Sequence, residues 1–195
     1  MRRTAAETRE HVLRVARDLF YWEGIRATGV DRVAAAAGVA PTTLYRLFAS
    51  KDDLVAAYVE RESRLYREWF AAALEAGGPD PRARILALFD ALSEQVQPDR
   101  CRGCPFQMTL AELPEPDLAA HQGAVDTKAW VRSRLEELTA ELAQPASASA
   151  PAADPAELAD QLAVIIEGVY ASVASLGAEG PARRARALAE RLLGG

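Results

Sequence analysis

Gly38-Val39-Ala40-Pro41-Thr42-Thr43-Leu44-Tyr45-Arg46-Leu47-Phe48-Ala49-Ser50-Lys51 is the stretch that decides how the chain is read. Gly38 accepts positive φ and so ends a helix before it. Pro41 suits a first helical turn, and the spacing predicts a short helix over 41–48. Leu44, Leu47 and Phe48 suffice to anchor that helix, which leaves Thr42, Thr43, Tyr45 and Arg46 on its other face. Upstream, Thr28 offers an N-cap with Asp31 as the acidic half of a capping box, and the apolar pattern predicts a helix over 30–37. Two short helices joined by a glycine turn make a helix-turn-helix, a geometry that can project its second helix into a major groove. A longer helix over 5–22 precedes them, with Val12, Leu13, Ala16, Leu19 and Phe20 as its stripe and Gly24 as a left-handed cap. Residues 1–50 thus form a three-helix head.

The rest is also helical in pattern, because apolar residues recur at spacings of three and four and strand-type runs are absent. Helices are predicted over 51–74, 81–96, 105–113, 118–143, 156–176 and 181–193. Between them stand Gly77-Gly78-Pro79, a 98–103 loop that holds Cys101 and is followed directly by Cys104, Pro114-Glu115-Pro116-Asp117, and an uncharged Ala/Ser/Pro-rich loop over 145–153. The expected fold is all-α, with the helix-turn-helix head joined to a larger helical body over 51–195.

With 195 residues, half of them apolar and only 12 Gly and 11 Pro, the chain can bury a core without disulfides and lies outside the disordered and collagenous classes. No run approaches 18 consecutive apolar residues, so the expectation is a cytoplasmic protein with no membrane partner. The net charge of -5 is unevenly spread. Residues 1–51 hold nine Arg or Lys against five acids, a net of +4, which leaves -9 for the remainder. A basic head on an acidic body points to a polyanion met only by the head, with Arg2 and Arg3 as a short basic arm and Lys51 placed for a phosphate.

In the body, Tyr66, Trp69, Phe70, Phe89, Phe106, Trp130 and Tyr170 are spread over several helices. Each by itself is explained by core packing. Together, with Cys104 and Met108, they suit a mostly apolar cavity for an aromatic or lipophilic effector. Cys101-x-x-Cys104 fits a structural pair, a redox switch or half of a zinc site, but zinc needs four ligands and only His11 and His121 remain. No metal and no cofactor are therefore expected, and the two histidines read as solvated. With no phosphate loop, serine elbow or metal motif, the only enzyme reading is a thiol-disulfide protein using Cys101 and Cys104.

The segment Gly38 to Leu54, with its Leu44-Tyr45-x-x-Phe48-x-x-Lys51 core, closely resembles the DNA-binding signature of TetR-family transcriptional repressors. The resemblance covers residues 7 to 60 and departs at Gly29, where the family often has a hydroxyl residue, and at Leu47, where many members carry His. It implies phosphate contacts from Thr28, Tyr45 and Lys51, base contacts from Pro41, Thr42 and Thr43, and Arg46 beside them. It further implies a homodimer on a palindromic double-stranded operator, released by a small-molecule effector, with an interface of four helices. The last two helices have the apolar width for that interface, at Leu162, Ile166, Val169, Val173, Leu188 and Leu192. Redox sensing through Cys101 and Cys104 is the alternative trigger.

Overall fold

The computed structural model describes residues 4–143 and 154–194. The basic arm Arg2-Arg3 and the 145–153 loop lie outside the described residues. Among those described there are nine α-helices and no strand. They are α1 (Ala5–Glu23), α2 (Val30–Ala37), α3 (Pro41–Leu47), α4 (Lys51–Glu75), α5 (Pro81–Gln95), α6 (Pro105–Glu112), α7 (Ala119–Leu142), α8 (Pro155–Leu176) and α9 (Ala185–Leu192). The last predicted helix is split, because Pro181–Arg184 forms a 3-10 turn before α9.

The helix ends follow local chemistry. Thr4 and Glu7 cap α1 reciprocally, a capping box that the sequence reading did not single out. Gly24 ends α1 at φ +100° and ψ 148°, positive in φ but not left-handed helical as expected. At the other predicted cap the structure differs more. Gly29, not Thr28, is the N-cap of α2, and Thr28 is fully buried with its hydroxyl donating to the Gly24 carbonyl at 2.8 Å. That bond satisfies an orphan C=O at the end of α1 and leaves the hydroxyl no role at α2. Asp80 and Asp154 cap α5 and α8 through Ala83 N–H and Ala156 N–H, each beside a first-turn proline.

The chain divides into two compact units. The first holds residues 4–65 and 105–126, that is α1 to α3, the first part of α4, α6 and the start of α7. The whole expected head lies in it, together with the 105–126 segment. Its core combines Val12, Leu13, Ala16 and Phe20 of α1 with Val33, Ala34 and Ala37 of α2, Leu44 of α3, and Leu54 and Val55 of α4. Phe20 meets Tyr58 edge-on at 5.4 Å, and Arg9 lies 5.2 Å from the Phe48 ring centre. His11, expected in solvent, is a bridge: Nε2 donates to the Ala37 carbonyl at 3.0 Å while Arg14 reaches Nδ1 at 3.0 Å. His121 likewise meets the Leu113 carbonyl at 2.8 Å. Both imidazoles satisfy helix-end carbonyls that lack an intrahelical partner.

The second unit holds 66–104 and 127–194: the rest of α4, α5, the rest of α7, α8, the 3-10 turn and α9. Ile85, Leu88, Phe89 and Leu92 of α5, Leu135 and Leu138 of α7, and Leu162 of α8 are almost fully buried there. Burial of one such side chain is worth about 1.5–3 kcal/mol. Thr139 joins α7 to α8 by donating to the Pro155 carbonyl at 2.7 Å, and Arg186 of α9 pairs with Asp90 of α5 at 2.8 Å.

Candidate functional site

In the first unit the turn between α2 and α3 is closed from both sides of Gly38. Its φ of +64° lets Gly38 N–H reach Ala35 O and Val39 N–H reach Ala34 O, a double helix stop that a Cβ would strain. Pro41 then starts α3. Within α3 only Leu44 is buried, at 0% exposure, and Phe48 follows it into the core. Pro41, Thr42, Tyr45 and Arg46 consequently stand exposed on one face, Tyr45 at 51%, with Thr43 half-buried. A large amphipathic phenol left in water beside a guanidinium and two hydroxyls is the complement of a phosphate backbone and base edges.

Two of the expected phosphate contacts are placed otherwise. Thr28 has no exposed surface. Lys51 is half-buried and its Nζ donates to the Arg26 carbonyl at 3.3 Å, which still leaves it hydrogens for another acceptor. At the start of α4, Ser50 Oγ accepts the Asp53 N–H at 3.0 Å and so fixes the helix that carries Lys51.

In the second unit the aromatic residues partly converge. Tyr66 lies 5.3 Å from Trp69 and 6.2 Å from Phe70, Phe70 meets Trp130 edge-on at 5.3 Å, and Tyr66 is hydrogen-bonded to Tyr170. The Arg67 guanidinium stacks on the outer ring of this group, 5.0 Å from the Trp130 centre, and its buried Nε has no hydrogen-bond partner. Burial, and then the electrostatic influence of Cys104 and Glu167, push the Tyr66 hydroxyl well above the usual phenol range; burial does the same for Tyr170. Both remain O–H donors. Phe89 is fully buried, as its pattern on α5 requires. Phe106 and Met108 belong to α6 in the first unit.

Cys104 brings the residues that the sequence reading missed. Lys128 of α7 places Nζ 3.1 Å from Cys104 Sγ and 2.5 Å from Glu167 Oε1 of α8. Burial works against the ammonium charge, but Cys104 and Glu167 outweigh it and hold Lys128 above the ordinary lysine range. The available signal was composition: of 23 Lys and Arg residues only Lys51 and Lys128 are lysine. Neither Cys101 nor Cys104 is in a disulfide, and both are buried. Among the described residues no group of three or more His, Cys, Asp or Glu could hold a metal ion.

The expected interface residues separate into two sets. Leu162, Ile166, Val169 and Val173 point into the core of the second unit, at 5% exposure or less, while Leu192 is half-buried and Leu188 is 40% exposed. The open face of α8 is carried instead by Val164, Gly168, Ala171 and Ser175, with Val164 at 70%. By length and mean hydropathy α8 alone among the described helices could cross a membrane, yet 33% of that window is buried inside the protein. Val169 and Val173 also line an open groove of about 300 Å³, together with Val96, Pro98, Ala182 and Arg183, and none of the aromatic residues above reaches it.

Comparison with known proteins agrees at both ends of the chain. The family described as bacterial regulatory proteins, tetR family, matches residues 12–58, and the tetracyclin repressor-like C-terminal domain matches residues 81–189. The transcriptional repressor NemR of Escherichia coli is 29% identical over 111 residues, 56% of this chain and 56% of NemR, so that match spans little more than half of the relative. The transcriptional regulator YjdC of Escherichia coli is 26% identical over 95% of this chain and 93% of its own. Among solved structures, a TetR-family regulator from Streptomyces coelicolor has a TM-score of 0.82 at 26% identity over 97% of this chain and 93% of that one. The reduced form of Escherichia coli NemR superposes with a TM-score of 0.80 at 22% identity, over 95% and 96% of the two chains, a likeness of fold.

Proposed function

The chain belongs to the tetR family of bacterial regulatory proteins, and on that premise we propose that it is a transcriptional repressor. It binds a palindromic double-stranded operator as a homodimer and leaves it when a small lipophilic or aromatic effector occupies the helical body. The observation that carries this reading is α3, which buries Leu44 alone and holds Pro41, Thr42, Tyr45 and Arg46 out on one face. Tyr45 and Lys51 bind phosphate in this reading, whereas Pro41, Thr42 and Thr43 meet base edges.

Dimerisation rests on the open apolar and small-residue face of α8 with Leu188 of α9. A second copy covers that face, which explains why α8 is apolar beyond what its own core requires. The effector reading rests on the group Tyr66, Trp69, Phe70 and Trp130. An effector acts only through unequal affinity for two arrangements of the dimer, so it must favour a spacing of the two α3 helices that no longer matches the operator half-sites. Helix α4 supplies residues to both compact units and is the natural route for that bias. The chain works as a cytoplasmic regulator and not as an enzyme.

The test is binding of the purified protein to the DNA upstream of its own gene, followed by fluorescence anisotropy over a range of salt concentrations. Binding that prefers one palindromic segment over a scrambled duplex, with a negative salt slope, is expected. Equal affinity for both duplexes would overturn the assignment.

A further inference from the structure

The chain fills its cationic positions with arginine almost throughout, yet a lysine stands against the Cys104 sulfur. An ammonium is a compact point charge, whereas a guanidinium is a planar fork suited to two oxygens. Burying an ammonium against a neutral thiol recovers little of its lost hydration, because a thiol is a weak acceptor. Against a thiolate the same contact is an ion pair. Glu167, 42% exposed, could hold Lys128 at the surface without the sulfur, so the position of Lys128 is explained by Cys104. Cys101 differs. Its Sγ lies 3.9 Å from the Gly103 carbonyl and has no lysine hydrogen-bonded to it as Cys104 has.

We propose that Cys104 is an oxidant-reactive modification site, with Lys128 as the positioning residue that holds its sulfur as thiolate and Cys101 as the resolving thiol. Cys104 as a whole residue is 5% exposed, which restricts the reagent to a small one, and the class proposed is a hydroperoxide. The Cys104 thiolate attacks one peroxide oxygen, the O–O bond breaks, and the leaving oxygen takes a proton to depart as water or an alcohol. Cys104 then carries a sulfenic acid. The Cys101 sulfur attacks Cys104, the S–S bond forms and the S–O bond breaks, and the Cys101 proton leaves with the hydroxyl as water. Two thiols lose two hydrogens and the peroxide accepts both electrons. Lys128 is left with Glu167 as its one charged partner of this pair, so oxidation changes a contact that joins α7 and α8 to the 101–104 loop.

The experiment treats the purified full chain with hydrogen peroxide, without DNA, so that it stands or falls independently of the repressor reading. Intact mass and peptide mapping should show loss of two hydrogens in a Cys101–Cys104 disulfide, and Cys101→Ser should stop at one oxygen on Cys104, trapped by dimedone. Lys128→Met should slow oxidation about tenfold and raise the pH at which Cys104 becomes reactive, with Lys128→Arg recovering most of the rate. Equal rates for Lys128→Met and wild type would overturn the role of Lys128. If Lys128→Met does not fold, peptide-resolved alkylation of the wild type decides: Cys104 should react well ahead of Cys101 at neutral pH, and equal reaction of the two would sink the proposal.

Discussion

Glu112 Oε2 accepts the backbone N–H of Arg26 at 2.8 Å across 86 residues of sequence, while Lys51 Nζ donates to the carbonyl of the same residue. The α1–α2 turn is thus held at both faces of Arg26 by residues remote from it. Glu112→Ala should cost about 1–2 kcal/mol in urea unfolding, since it removes a charged acceptor from a backbone donor, and Glu112→Gln should cost less. The exposed Arg26–Glu115 pair beside it adds little, so Glu115→Ala should be near neutral. Equal losses for the two alanine variants would show that Glu112 does not act through this bond.

Phosphate contacts can be separated from base contacts by salt. Lys51→Ala should weaken binding to every duplex and reduce the salt slope by about one, and Tyr45→Phe should weaken it uniformly with the slope kept. Thr42→Ala should instead change the preference between operator variants by about 1 kcal/mol. Anisotropy titrations against two duplexes distinguish these patterns, and an unchanged slope in Lys51→Ala would confine Lys51 to its bond with Arg26.

The interface prediction follows exposure. Val164→Glu and Leu188→Glu place charges on surface that is open in the single chain and should yield soluble, folded monomers by light scattering. Ile166→Glu, at 2% exposure, should instead unfold the second unit. A dimer of normal mass from the Val164→Glu, Leu188→Glu double variant would move the interface to another face.

Alkaline pH should weaken the second unit through its buried cluster. Tyr66 and Tyr170 keep their protons more tightly folded than unfolded because of burial, and Lys128 does so because Cys104 and Glu167 outweigh its burial. A raised pKa in the folded state gives stability that is full below the unfolded value, 10.0 for Tyr66, and is lost as pH rises past it. Urea midpoints measured from about pH 8 to about pH 11 should therefore fall less steeply in a Tyr66→Phe, Tyr170→Phe double variant than in the wild type. Parallel curves would show that the two phenols do not contribute.

The helices were legible because their signals are local. Pro41, Gly38 and the Leu44–Phe48 spacing act within a few residues of themselves, and α2 begins and ends where the pattern placed it. Thr28 was misread because a hydroxyl at a helix start can bond forward to an N–H or back to a carbonyl, and only the path of the α1–α2 turn selects Gly24. The expectation that Leu162, Ile166, Val169 and Val173 form an interface rests on their apolar width and on the family resemblance, neither of which says which face of a helix its own core takes. A pattern shows that a face must be covered, not whether its own chain or a second copy covers it.

The sequence by itself determined the helical order, the turn at Gly38, and which side chains of α3 are left free, because capping, φ preference and 3.6-residue periodicity are properties of contiguous residues. Only the tertiary structure decided that Glu112 and Lys51 close on Arg26, that Lys128 meets Cys104, and that α8 keeps Val164 outward. Those contacts join residues 24 to 86 positions apart, and a pair at that distance leaves no periodic trace in either segment. It is set by how the helices pack, where burial of the cores fixes the positions first and the polar partners are those that packing brings within reach.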